Sequence, residues 1–144
     1  MENITLIRQY LGGRKLIGSP ETELDFIPLI REGFPFTVFT SLRDRSKLSE
    51  DIIYGSLRIA PRTAARRKQH AARLKPSESE LLLRLARIFA AATDVLGSEE
   101  KARKWLVSEN RALGGAVPIQ LVDTGIGFQQ AMDVLKRIEH GVYS

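Results

Sequence analysis

Between Arg58 and Lys75 the chain carries Arg58, Arg62, Arg66, Arg67, Lys68, Arg73 and Lys75 and no acidic residue. Fixed positive charge without counter-charge attracts phosphate backbones, through a field that weakens as salt rises. Pro61 sets a helical φ at its own position and disfavours helix at Ala60, so one helix stops before it and a second starts there. Two short helices joined by a tight turn, the second strongly basic, is the layout of a helix-turn-helix. In that layout the first residues of the second helix reach base edges, and here they are Arg62, Thr63 and Arg66. Arg62 and Arg66 are four apart and share a face. Arginine suits bidentate contact with guanine, and threonine suits a thymine methyl or a hydroxyl-accepting edge. Arg67, Lys68 and Arg73 are expected on phosphates, where they set affinity rather than sequence choice. The same charges would also suit a solvated face on an ordinary helical bundle. The Pro-initiated helix and the missing acids favour DNA.

Other chemistry finds little support. Thr124-Gly125-Ile126-Gly127 superficially suggests a phosphate-binding glycine loop, but no strand precedes it, so it reads as a helix start. His70 and His140 are the two histidines, without acids at metal-ligand spacing. With no cysteine, disulfides and thiolate metal sites are excluded, which suits the cytosol. No Ser-His-Asp arrangement is visible locally. The expectation is a protein without catalysis, metal or cofactor.

A second constellation lies toward the C-terminus: Trp105-Leu106, Asn110-Arg111-Ala112-Leu113-Gly114-Gly115, Pro118, Leu121, Thr124, Gly127, and the ending Arg137-Ile138-Glu139-His140-Gly141-Val142-Tyr143-Ser144. It resembles the toxin-binding domain of the Xre/MbcA/ParS antitoxin family. That family's hallmark is an Asn-Arg-Ala-Leu-Gly-Gly loop, a Pro-Leu turn, a Thr-x-x-Gly helix start and an Arg-Ile-Glu-Tyr-Gly-Val ending. His140 stands where Tyr is usual, and Ile119 where Leu is common. The resemblance is strong over residues 80–144 and looser over 20–75, where Ile59-Ala60-Pro61-Arg62-Thr63 is similar to the family's helix-turn-helix. It implies an antitoxin of a type II toxin–antitoxin module whose partner is a RES-domain toxin, a protein that resembles ADP-ribosyltransferases and consumes NAD or modifies a target with it. It also implies a homodimer within a larger toxin–antitoxin complex, repression of its own operon through operator DNA, and a C-terminal region at the mouth of the toxin's active site.

On that reading the candidate toxin-binding residues are Arg111, Glu139, His140, Gly141, Val142, Tyr143 and Ser144. Tyr143 offers a flat ring with a polar tip to fill a cleft. The Ser144 carboxylate would meet cations that otherwise bind NAD phosphates. Gly114-Gly115 permits a sharp backbone path, and Arg111 is expected to tie that loop down through carbonyls or a carboxylate. Trp105 reads as core, and the stripe from Phe128 to Val142 as core or dimer interface.

The elements that must position these groups are helical. Residues 1–18, interrupted by Gly12-Gly13 and Gly18, read as an arm. Ser19-Pro20-Glu21 reads as a helix entrance, Leu24, Ile27, Leu29 and Ile30 as its apolar stripe and Gly33 as its stop. Val38, Phe39 and Leu42 recur at helical spacing, and Ser49 caps a helix that buries Ile52, Ile53 and Leu57. Ser77-Glu78-Ser79-Glu80 reads as a capping box ahead of Leu81, Leu85, Ile88, Ala92 and Val95, with Gly97 as the stop. Pro118 and Thr124 open the last two helices, the final one striped by Phe128, Ala131, Leu135, Ile138 and Val142. No strand pattern emerges. The predicted fold is all-α, an N-terminal helix-turn-helix unit followed by a small helical toxin-binding and dimerisation domain. The boundaries are 1–18 for the arm, 19–76 for the DNA-binding unit and 77–144 for the toxin-binding domain.

Charge follows that division. Residues 1–75 hold 14 Lys and Arg against 8 Asp and Glu, and residues 76–144 hold 8 against 9. At 43% apolar the chain can build a core, and no apolar run suffices to cross a bilayer. No signal peptide is read at the N-terminus, so the expected location is cytoplasmic. The competing reading is a stand-alone helix-turn-helix transcription regulator whose C-terminal domain only dimerises.

Overall fold

The long helix predicted after residue 76 is the axis of the molecule. In the computed structural model, which describes residues 2–70 and 72–141, it runs from Pro76 to Leu96 and is called α7. Leu82, Leu85, Ala86, Ile88, Phe89 and Ala92 are all buried within it, so it is covered on several sides rather than along one stripe. Before it come α1 (Ile4–Tyr10), α2 (Arg14–Ile17), α3 (Phe26–Glu32), α4 (Thr37–Ser46), α5 (Glu50–Leu57) and α6 (Pro61–Gln69). After it come α8 (Glu99–Leu106), α9 (Pro118–Leu121) and α10 (Gly125–Glu139), with 3-10 turns at Glu23–Asp25 and Arg111–Leu113. Helices α1, α3, α4, α5, α8 and α10 all pack on α7. Among the described residues no strand forms, and extended backbone pairs once, in an antiparallel bridge between Pro35 and Arg73. No described helix is long and apolar enough to cross a membrane.

Three local readings are corrected. Residues 1–18 are not an irregular arm: α1 and α2 bury Ile7, Tyr10, Leu11 and Ile17. The Asn3 carboxamide caps α1 by accepting from the Leu6 amide at 3.0 Å. Tyr10 stands edge-on to Phe89 of α7, with ring centroids 4.9 Å apart. The glycines that interrupt the pattern simply hold the turns between two short helices.

Ser19-Pro20-Glu21 starts no helix. The entrance lies at Asp25, whose carboxylate accepts from the Glu21 and Thr22 amides. The residue α3 buries is Phe26, while Leu24 and Ile27 face outward, Leu24 at 73% exposure.

Finally, α7 begins at Pro76 with Lys75 as its cap, two residues before the expected Ser77 cap. The residue that reaches back is Glu78, not the expected Glu80: it accepts from the Lys75 amide at 2.8 Å. Ser79 is fully buried, donates to the Lys75 carbonyl and accepts from the Phe34 amide, both at 2.9 Å. It joins the start of α7 to the end of α3, satisfying a buried amide that would otherwise lack a partner.

Candidate nucleic-acid interface and C-terminal end

Helix α5 starts at Ser49, whose hydroxyl accepts from the Ile52 amide, and ends at Arg58 in a left-handed conformation with φ 55 and ψ 39. The Arg58 and Ile59 amides close the turn on the Gly55 and Tyr54 carbonyls. Tyr54 stacks on Phe39 of α4 at 4.7 Å, fixing α5 to the bundle. Ala60 is extended and Pro61 opens α6, so the expected helix-turn-helix is present.

Ala64 is fully buried, and its single methyl lets α6 lie close against its neighbours. That fixes which way the rest of the helix faces. Arg62, Ala65, Arg66, Lys68, Gln69 and His70 are exposed, and Thr63 is half-buried. Arg62, Arg66 and Gln69 follow the four-and-three spacing of one helical face. Among the described residues Arg62, Arg66 and Lys68 form no ion pair. Gln69 had no assigned role in the sequence, although its spacing from Arg62 and Arg66 places it on their face.

Two of the residues expected on phosphates, Arg67 and Arg73, have partners within the fold. Arg67 pairs with Glu78 of α7, and their side chains are only 14% and 10% exposed. This pair clamps α6 onto the first turn of α7. Arg73 donates to the Gly33 carbonyl at 2.7 Å and lies 3.4 Å from Glu32, while the Leu74 amide bonds the Phe34 carbonyl at 2.9 Å. The approach needs glycine at position 33, where φ is 89 and a Cβ would lie 2.2 Å from the Leu74 carbonyl oxygen. Arg73 remains 52% exposed.

At the other end, Asn110 rather than Arg111 holds the glycine loop. Its side-chain oxygen accepts from the Ala112 amide at 3.0 Å, its amide bonds the Ala116 carbonyl at 2.9 Å, and its carbonyl accepts from Leu113 and Gly115. Arg111 is exposed and bonds no described side chain or carbonyl, so the loop does not depend on it.

Thr124 caps α10 by accepting from the Gly127 amide at 2.9 Å. A Cβ on Gly127 would sit 2.1 Å from the Leu121 carbonyl oxygen, so this glycine lets α10 start directly against α9. The Thr-x-x-Gly pattern is thus a cap and a close approach, as the helix-start reading of Thr124 anticipated. Helix α10 buries Phe128, Ala131, Met132, Val134 and Leu135 and brings Glu139, His140 and Gly141 out exposed. Val142, Tyr143 and Ser144 lie outside the described residues.

Beside α10 is a groove of about 250 Å³ lined in part by Glu2, Glu23, Arg87, Asp94, Phe128 and Glu139. Arg87 of α7 grips Glu2 through two bonds of 2.7 and 2.6 Å, and its guanidinium lies 4.7 Å from the centre of the Phe128 ring. Burial would raise the Glu2 carboxyl, but the bonds from Arg87 and Glu23 outweigh it and hold Glu2 below its ordinary value. Glu23, facing Glu2, is pushed up.

This architecture defines a class: a helix-turn-helix protein whose C-terminal helices are built onto the same long helix. Residues 25–87 match the antitoxin Xre-like helix-turn-helix domain, and residues 91–141 match the antitoxin Xre/MbcA/ParS C-terminal toxin-binding domain. The two matches meet inside α7, which both domains therefore use. The chain is 33% identical over 116 residues to antitoxin Xre of Yersinia enterocolitica, covering 80% of this chain and 78% of that protein. It is 31% identical over 128 residues to antitoxin Xre of Pseudomonas putida, covering 88% and 79%. To antitoxin Xre of Photorhabdus laumondii it is 29% identical over 117 residues, covering 81% and 79%. The chain belongs to the Xre/MbcA/ParS antitoxin family.

Proposed function

We propose that this protein is the antitoxin of a type II toxin–antitoxin module, which silences a RES-domain toxin by laying its C-terminal end over the toxin's NAD-using active site and represses its own operon through α6. The carrying observation is that one frame built on α7 presents two uncommitted ends. One is α6, where Arg62 and Arg66 share an exposed face and Lys68 is exposed on another; the other is the exposed end of α10. Residues 19–76 then serve DNA and residues 77–144 the toxin. The protein acts by binding rather than by turnover, as a homodimer in a larger cytoplasmic complex.

The two ends work differently. Arg62 and Arg66 enter the major groove with Thr63 beside them, and Lys68 neutralises a phosphate. Helix α10 is anchored by five buried side chains, so it delivers Glu139, His140 and Gly141 along a fixed direction, with Val142, Tyr143 and Ser144 next in the chain. A pre-oriented end loses little freedom on binding. Tyr143 fills the cleft, the Ser144 carboxylate takes the place of NAD phosphate, and Arg111 supplies a free cation at the rim.

The test is co-expression with the RES-domain protein encoded beside the gene. The intact chain should co-purify with that protein and protect cells from it. Deletion of residues 141–144 should abolish protection while the circular dichroism and the melting transition of the antitoxin stay unchanged. Full protection by the folded truncation would refute the plug. A chain that bound DNA but no such toxin would be a stand-alone regulator.

A further inference from the structure

The turn that leads into α6 carries a cation held by the other half of the chain. The Arg58 guanidinium pairs with the Asp123 carboxylate in the turn between α9 and α10. The two sides of this pair are unequal. Asp123 is 20% exposed, and its backbone is pinned by Arg84, which donates to the Val122 and Asp123 carbonyls at 3.1 and 3.3 Å. Arg58 is 74% exposed and lies three residues ahead of Pro61, beside the base-reading end of α6. Its backbone sits at φ 55, where glycine would be the unstrained residue, yet the position carries a long cation that packs against little. The cleft beside the pair, about 550 Å³, is lined by Asp51, Ile52, Gly55, Ser56, Ile119 and Gln120, so the charges facing Arg58 there are Asp51 and Asp123.

We propose that Arg58 is a DNA phosphate ligand for which Asp123 is the intramolecular competitor. When DNA docks on α6, the guanidinium leaves the carboxylate for a backbone phosphate. This rests on the DNA-binding reading of α6 given above. An ion pair this exposed is weak, so the exchange is cheap, and the phosphate contact releases condensed counterions that the Asp123 contact does not. Because Asp123 lies within the toxin-binding match, the C-terminal domain sets how much of this cation DNA can use.

The experiment is a fluorescence anisotropy titration over a salt series, with a labelled duplex of the chain's own upstream region and an unrelated duplex. Arg58→Gly removes the charge and suits the left-handed backbone. It should weaken binding to both duplexes and reduce the slope of log K against log salt by about 0.9. Asp123→Asn should tighten binding by about two- to fivefold. In the Arg58→Gly background Asp123→Asn should have no effect, and Arg58→Lys should keep the wild-type slope. An unchanged slope in Arg58→Gly overturns the proposal. So does a gain from Asp123→Asn that persists without Arg58, because Asp123 would then act through its general field. Arg62→Ala separates the layers. If it weakens binding while Arg58→Gly does not, the α6 interface stands and the role of Arg58 falls. If Arg62→Ala, Arg66→Ala and Arg58→Gly all leave binding intact, the interface itself is wrong.

Discussion

Arg62 and Arg67 lie on one helix and have the same charge, but buried Ala64 turns them to opposite sides. Arg62 is exposed and unpaired among the described residues, whereas Arg67 is held by Glu78 in a nearly dry setting. Their loss should therefore show in different measurements. Arg62→Ala should weaken operator binding by about 1–3 kcal/mol in an anisotropy titration, with the melting temperature and toxin co-purification unchanged. Arg67→Ala should cost about 3 kcal/mol in urea denaturation, because it leaves the Glu78 carboxylate buried without its counter-charge. If Arg67→Ala weakened DNA binding at full stability, Arg67 would be a phosphate contact after all. The sequence shows seven cations in a row of eighteen residues without acids, but not which of them the fold consumes. That choice depends on Glu78 and on the Gly33 carbonyl, partners brought close only by the turns around α6.

At the scale of elements, the start of α10 depends on one absent methyl. Gly127→Ala would push a Cβ into the Leu121 carbonyl, a backbone atom that cannot move aside as a flexible side chain can. The substitution should destabilise by about 1–3 kcal/mol, read by urea denaturation, although alanine is the better helix former. Equal or greater stability would mean that α9 and α10 do not meet as closely as described. Helix starts with a local cap were legible in the sequence: Ser49 and Thr124 each accept from the amide three residues on. Local chemistry also marked Pro61 and Gly97. The start of α7 lies two residues ahead of the expected one, capped at Lys75 rather than Ser77, and buried Ser79 is engaged by Phe34, which is distant in sequence. The role of Asn110 was hidden for a different reason. The pattern Asn-Arg-Ala-Leu-Gly-Gly drew attention to its charge, while the loop is closed by the Asn110 side-chain oxygen, which accepts from Ala112, together with that residue's backbone N–H and carbonyl.

At the scale of the whole molecule, Arg87 gathers segments that are far apart in the chain. It extends from the middle of α7 to Glu2 ahead of α1, to Glu23 before α3 at 3.8 Å, and over Phe128 of α10. This is why residues 1–18 belong to the fold: Glu2 is fastened beside the helix that carries the C-terminal end, and Ile7 and Tyr10 fill the core behind it. The node has a definite acid response. A carboxyl whose folded pKa is depressed contributes stability above its unfolded pKa, and the contribution disappears as pH falls through the folded value. Glu2 is such a group: burial raises it, but the Arg87 bonds more than offset that. Glu23 is shifted upward by Glu2 and so works in the opposite sense, but it is largely exposed and its share is small. Glu2→Gln should therefore cost about 1.5–3 kcal/mol at neutral pH, the range for a hydrogen bond to a charged group. The gap between wild type and variant should close as pH falls below the ordinary glutamate range and through the lowered pKa of the native carboxylate. Urea denaturation of both proteins across that range would show it. A gap that stayed constant with pH would mean that Glu2 holds Arg87 by shape alone, and that the charge between the N-terminal segment and α7 contributes nothing to the frame on which both binding ends are mounted.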